Sequence, residues 1–466
     1  MMPNERPKRL AATGLGGLLG VVAGIAVIAG AVMLVPPTPA PVVAQHSPGP
    51  SGSPAPSGAP SSSPAPSASA LPASPTPSPT QPPEVRLQQR LDAIRLRQSI
   101  PGISVAIIWP DGHEWAGVSG LADEASARPV KPGTAFALAS VSKTFTAAVV
   151  LQLAEEGAIS LDAPVAPLLP DVAITLDPRI TVRMLLDHTS GLPDFFLSPT
   201  IDKALQGDTA AEWTAEQALS YVDPEHADPG TQWTYANTNY VLLGLLVQKA
   251  TGKPLSEEIR TRLLDPLGLR DTWYQGDEPP LAPEATGYSL RKVDGEWTHD
   301  ALGGADSRGF MPFRSVITAA GGAGSMASTA LDTARWIRAY ASGRVVTAPT
   351  LAAMLDDISL TAALGAEVPY GLGIQGIPVG THAALGHSGR LLGFRGVARH
   401  LTSSGFTIVV LTNQSYRDPG KIASALMDLL IPQETPSPTP TPDASAGPSD
   451  EVDPVVSGDP SVLPDG

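Results

Sequence analysis

Apolar positions along this chain follow three rhythms, and each marks a different kind of segment. From Ala11 to Val35 they are almost unbroken, 25 residues that as a helix would extend about 37 Å against a hydrocarbon layer of roughly 30 Å. After Ser140 they recur three and four apart, at Val141, Phe145, Ala148 and Leu151, which is the period of a helix. Glu155-Glu156-Gly157 closes that helix, with Gly157 placed to cap its C-terminus. The same period predicts helices at 241–250, 257–264 and 421–430. Denser apolar runs predict strands at 104–109 and 114–120, split by the Pro110-Asp111-Gly112 turn, and again at 396–400 and 407–412. Strands from both ends bracketing a helical middle predict a mixed α/β (α+β) fold: an antiparallel β-sheet flanked by helices, with a mostly helical subdomain.

The flanking segments have a different character. Residues 1–10 carry Arg6, Lys8 and Arg9, and no further Lys or Arg appears before Arg86. By the positive-inside rule, residues 11–35 then form a membrane anchor with a cytoplasmic N-terminus and everything after it outside the cell. A cleaved signal peptide, releasing a secreted protein, is the alternative: Val42-Val43-Ala44 offers small residues before Gln45. Residues 36–83 hold 17 prolines and no Asp, Glu, Lys or Arg, a stalk that cannot bury a core. Its 48 residues as polyproline II would reach roughly 150 Å. The globular part spans 84–432, and 433–466 is a second Pro/Ser/Thr-rich segment holding seven acidic residues and no basic one. With those seven removed from the net charge of −15, the domain is only mildly acidic, and binding to nucleic acid is disfavoured. There are no cysteines, which excludes disulfides, thiol nucleophiles and Cys-ligated metal.

Three short patterns then fall in order: Ser140-Val141-Ser142-Lys143, Tyr235-Ala236-Asn237 and His387-Ser388-Gly389. Ser140 opens a helix, where free backbone N–H groups favour developing negative charge, and Lys143 one turn later can point its amine back at the Ser140 hydroxyl. Ser289-Leu290-Arg291-Lys292 also fits Ser-x-x-Lys, but it sits beside an Asp294-Gly295 turn signal on an expected hairpin strand. There, residues three apart face opposite ways. For Lys143 to act as a base near neutrality, burial must lower its pKa. Asn237 offers an amide to a substrate carbonyl and to Lys143. Ser388 and Gly389 are small enough for a ligand's backbone to lie along their strand.

These motifs, with Leu185-Leu186-Asp187-His188-Thr189-Ser190-Gly191-Leu192-Pro193, residues 229–244 and Gly321-Gly322-Ala323-Gly324-Ser325-Met326, resemble the serine β-lactamase and D-alanyl-D-alanine peptidase superfamily, within it the class C β-lactamase-like group. The likeness runs from about Ile100 to Leu430. It implies a site in the cleft between sheet and helical subdomain, and chemistry through a Ser140 acyl-enzyme. It further implies that Tyr235 shuttles a proton to the leaving group, and that substrate is held by Asn237, His387, Ser388, Gly389 and Arg390. The Arg390 backbone N–H becomes the second oxyanion donor beside that of Ser140. His387 stands where many relatives carry Lys, and Arg390 where they place a small residue, so the Arg390 guanidinium is expected either to hold a substrate carboxylate together with His387 or to block the cleft.

The implied activity is D-alanyl-D-alanine carboxypeptidase-like or penicillin-binding, on cell-wall peptides. A β-lactamase or small-ester esterase uses the same site, and a non-catalytic wall-binding or regulatory module is the reading from another class. No cofactor or metal is implied, since the eight histidines show no ligand spacing. Gly371 to Gly376 fits a dinucleotide fingerprint, but Ile377-Pro378 follows where a helix should open, so that stretch is read as strand. His188 is read as a structural loop residue.

Overall fold

A computed structural model describes residues 81–293, 296–301 and 313–431. The basic N-terminus, the apolar segment 11–35, the stalk up to residue 80 and the acidic tail lie outside the described residues. Among the described residues no helix is long and apolar enough to cross a membrane.

The strands are β1 (Gly102–Ile108), β2 (Glu114–Asp123), β3 (Arg128–Pro129), β4 (Phe136–Ala137), β5 (Thr272–Tyr274), β6 (Tyr288–Val293), β7 (Glu296–Ala301), β8 (Met326–Ser328), β9 (Ala384–Leu391), β10 (Phe394–Leu401) and β11 (Thr407–Thr412). Six of them form the main sheet in the order β3-β2-β1-β11-β10-β9, and every pairing is antiparallel. The chain thus closes by laying β11 against β1, with Val105 opposite Val410. All seven residues of β1 are buried, because both faces of the sheet are covered. On one face Val105, Ile107, Ile408 and Val410 meet Leu87, Leu91 and Ile94 of helix α1 (Pro83–Gln98), with Ile422 and Leu426 of the helix Pro419–Met427. On the other face Ala106, Val409 and Leu411 join the larger core, which contains α2 (Ser142–Glu155), the helix Ala330–Ala341 and the helical middle of the chain. A strand between two apolar layers has no polar face, hence the continuous rather than alternating pattern.

The structure moves several expected boundaries. The helix expected at 241–250 runs Asn237–Thr251, so Asn237 is its first residue rather than part of the preceding loop. The helix expected at 257–264 is interrupted: Leu255–Ile259 is α-helical, and Arg260–Leu264 widens into a π turn. The last helix starts at Pro419, where Asp418 caps it by accepting from the Gly420 N–H, and ends at Met427. Gly371 to Gly376 is not a strand. It touches its neighbours through isolated bridges, Tyr370 with Gln375 and Gln375 with Gly386 on the free edge of β9. Gly373 has φ +75°, and a Cβ there would stand 2.2 Å from Ala147 Cβ, so the backbone turns where an extended strand would continue. Ser289 lies on the β6–β7 hairpin, as its turn signal indicates.

Candidate active site

Ser140 lies in a single 3₁₀ turn, Ala139–Val141, that runs directly into α2. Ala139 is buried with φ +49°, a left-handed conformation that costs a side-chain-bearing residue about 1–3 kcal/mol and aims the turn at the edge of the sheet. Three hydrogen bonds hold the start of α2 in place. Ser142 Oγ accepts from the Met326 N–H of β8 at 2.9 Å, Thr144 Oγ1 donates to the Val141 carbonyl at 2.7 Å, and Trp336 Nε1 donates to Thr144 Oγ1 at 2.8 Å. The helix is buried from Ser142 to Leu151, so its polar side chains are all turned to internal partners.

Lys143 is fully buried. Its Nζ lies 2.7 Å from Asn237 Oδ1, 2.9 Å from the Ala323 carbonyl oxygen and 3.1 Å from Ser140 Oγ. Burial pushes its pKa down from 10.5 to about 7, against a smaller opposing pull from the Asp194 carboxylate. A neutral amine has two hydrogens and one lone pair. Asn237 and Ala323 present acceptor oxygens, so they take the two hydrogens and the lone pair falls toward the Ser140 hydroxyl. The arrangement can accept the serine proton without moving a heavy atom.

Tyr235 faces the same hydroxyl. Its phenol hydrogen bonds the Ser140 side chain, and burial holds its pKa well above the ordinary phenol range, so it stands protonated. The Lys143 amine is 4.9 Å from the centre of its ring. The loop carrying Tyr235 is clamped by His188, which has φ +66° and is itself fully buried. The His188 carbonyl accepts from the Thr234 N–H at 3.0 Å and its Nδ1 from the Ala236 N–H at 3.2 Å, one on each side of Tyr235. The two rings lie 4.3 Å apart. Burial first, and then the charge of Lys143, depress His188 well below its usual pKa, so it is a neutral platform under the tyrosine.

β9, at the sheet edge, completes the site. A Cβ on Gly389 would lie 2.2 Å from the Leu138 carbonyl oxygen, so β9 crosses directly beside the Ser140 turn. His387 is 1% exposed, and its Nδ1, 2.6 Å from its neighbour's Ser388 carbonyl, must be the protonated nitrogen. Its Nε2 then accepts from the Tyr370 hydroxyl at 3.0 Å. Burial depresses its pKa well below 6.5, so it stands as a neutral imidazole. Ser388 is turned the other way. Its hydroxyl donates to Gln375 Oε1 at 3.2 Å and accepts from Arg399 Nη2 at 2.7 Å, while its N–H donates to Gln375 Oε1 at 2.9 Å. Gln375 thus occupies the edge from Gly386 to Ser388, so of the pair Ser388–Gly389 expected to take a ligand backbone Ser388 is already engaged, and the open edge begins at Arg390.

Strand alternation places His387 and Arg390 on opposite faces, so their side chains do not jointly hold one carboxylate. The Arg390 backbone is better placed. The Gly386 and Ser388 N–H groups both point outward from the edge, to Gln375, and a period of two sends the Arg390 N–H the same way, beside Ser140.

Several contributors carry no motif. Asp194, 6% exposed, accepts from Asn237 Nδ2 at 2.7 Å. Arg399 is a buried guanidinium that donates to Ser388 and Gln375, with burial pushing its pKa down to about 9. The sequence signal for Arg399 is a charged residue inside the apolar run 396–400; for Asp194 it is only the position after Leu192-Pro193.

A family model described as Beta-lactamase matches residues 86–430. The D-aminopeptidase of Cereibacter sphaeroides (strain ATCC 17029 / ATH 2.4.9) is 29% identical over 353 residues, 75% of this chain and 64% of that protein, so the chain spans less than two thirds of that relative's length. Esterase EstB of Burkholderia gladioli is 32% identical over 385 residues, covering 74% of this chain and 95% of the esterase. Among solved structures, the D-amino acid amidase from Ochrobactrum anthropi SV3 aligns with a TM-score of 0.61 at 27% identity, over 75% of this chain and 96% of the amidase. Together with the antiparallel sheet and flanking helices, these likenesses place the chain in the beta-lactamase family, as a serine hydrolase of the β-lactamase and penicillin-binding-protein superfamily.

Proposed function

We propose that the chain is an extracytoplasmic hydrolase in which Ser140 forms an acyl-enzyme with short peptides or amides containing D-amino acids, peptidoglycan peptides among them. The observation that carries this reading is the buried Lys143 amine, 3.1 Å from Ser140 Oγ and held by the Asn237 and Ala323 carbonyl oxygens. Lys143 takes the proton as Oγ bonds to the substrate carbonyl carbon, and the N–H groups of Ser140 and Arg390 receive the oxyanion. When the carbon–nitrogen bond breaks, the leaving amine takes a proton from the Tyr235 phenol, and the Lys143 ammonium returns one to it. A water molecule, losing its proton to the same pair, then cleaves the ester and restores the Ser140 hydroxyl.

Substrate class is supported by the D-aminopeptidase and D-amino acid amidase relatives. Esterase EstB, matched over 95% of its length, favours a second reading, hydrolysis of small neutral esters. An external location is supported by the apolar segment 11–35 behind a basic N-terminus, and by a stalk long enough to carry the domain into a cell wall.

The test compares D- and L-alanine p-nitroanilides, a D-Ala-D-Ala peptide and p-nitrophenyl butyrate as substrates for the purified protein. Preference for the D-configured amides or the D-Ala-D-Ala peptide supports the first reading. Turnover confined to the butyrate ester overturns it in favour of the second.

A further inference from the structure

We propose that Asp194 is a positioning residue for the base: it orients the Asn237 amide and supplies the counter-charge for the Lys143 ammonium, making a Ser140–Lys143–Asn237–Asp194 relay. The inference rests on the acyl-enzyme reading given above and adds a fourth member to it.

The geometry is a chain of short hydrogen bonds. Lys143 Nζ is 2.7 Å from Asn237 Oδ1, and Asn237 Nδ2 is 2.7 Å from Asp194 Oδ2. Asp194 Oδ1 accepts from the Phe196 N–H at 3.0 Å, which fixes the carboxylate as the N-cap of the turn Phe195–Leu197. An ionised carboxylate is acceptor-only, so it can meet only the amide N–H₂ of Asn237. That forces the amide oxygen toward Lys143, where it must be for the lysine lone pair to reach Ser140. Reversing the amide would aim two donors at an amine that has its own hydrogens to place.

Charge acts in the same direction. Burial acts against both ions: it lowers Lys143 and raises Asp194, and each is opposed by the other's charge. Other groups facing Lys143 are His188, His387, Tyr235 and Tyr240. Burial holds both imidazoles well below the usual histidine pKa and both phenols well above the usual tyrosine pKa, so all four are neutral near pH 7. Asp194 is the anionic group among these neighbours. When Lys143 takes the serine proton, the result is a buried ammonium and carboxylate separated by one amide, rather than an isolated buried cation.

The experiment is the pH dependence of kcat/KM for Asp194→Asn in the full chain, beside wild type and Asp194→Glu. Removing the carboxylate removes a charge that favours the ammonium, so Lys143 loses its proton at lower pH. The acid limb should move down by on the order of one pH unit or more, and the plateau should fall about 10- to 100-fold because the base is weaker. Asp194→Glu keeps the charge and should hold its limb near that of wild type. An Asn variant that melts cooperatively, loses activity and keeps its limb in place would make Asp194 merely structural and overturn the relay. Should Asp194→Asn fail to melt cooperatively, Asp194→Glu decides alone, since a limb displaced in a variant that retains the charge contradicts the relay. Ser140→Ala, run in parallel, separates this question from the acyl-enzyme reading: turnover surviving there would remove that reading, whatever Asp194 does.

Discussion

Gly389 and Leu138 approach each other more closely than any other residue at 389 would permit, since a Cβ there would lie 2.2 Å from the Leu138 carbonyl oxygen and 3.3 Å from Ala139 Cβ. The obstacle is backbone, not the end of a flexible chain, so it cannot swing aside. This contact sets the distance between the edge strand and the turn that carries Ser140. Gly389→Ala should therefore separate the two, costing about 1–3 kcal/mol of stability and at least about 100-fold in kcat/KM, as displaced oxyanion donors do. Thermal melting with steady-state kinetics checks it, and wild-type kinetics in the variant would contradict the contact.

Lys143 makes a prediction about stability as well as rate. Its pKa is about 7 in the folded chain against an ordinary 10.5, so between those values the unfolded chain binds a proton that the folded one does not. Stability must then rise with pH across this window, by up to about 1.4 kcal/mol per unit, and is lost as pH falls toward 7. Denaturant unfolding at pH 7.5, 8.5 and 9.5 should show that slope, and Lys143→Met should flatten it. Acylation should rise through the same folded pKa, because only the neutral amine can take the serine proton.

The backbone N–H of residue 390 can be separated from its side chain by substitution. Arg390→Ala keeps the backbone N–H and should change turnover of neutral substrates by less than about 10-fold. Arg390→Pro removes that N–H at an edge position whose donor points away from the sheet, where proline is tolerated. Turnover should fall by about 100- to 1,000-fold with little loss of melting temperature. Equal, mild effects from both substitutions would remove the Arg390 N–H from the oxyanion site.

What could be read from the sequence, and what could not, follows from the physical origin of each signal. β11 is legible to the residue because Thr407–Thr412 is an apolar run between two apolar layers. The start of the helix Asn237–Thr251 is not, because Asn237, Thr238 and Asn239 are buried for hydrogen bonding and break the apolar period. Helix α1 escapes for a related reason: Pro82 and Pro83 look like the end of the stalk, yet proline at the first helical position opens a helix. Ser140 and Lys143 are legible because they lie one helical turn apart. Asp194 reaches Asn237 across 43 residues, and its part depends on an amide orientation that no local spacing encodes. His387 and Arg390 show the opposite error, since neighbours in sequence were expected to share a ligand while the pleat turns them apart.

A covalent ester on Ser140 is tested most directly by intact-mass spectrometry of the purified protein after incubation with a fluorophosphonate and, separately, a fluorescent penicillin, followed by peptide mapping. At least one stoichiometric adduct should form, mapped to the peptide that contains Ser140 and absent from Ser140→Ala. Labelling that survives in Ser140→Ala, or that maps to Ser289, would contradict it.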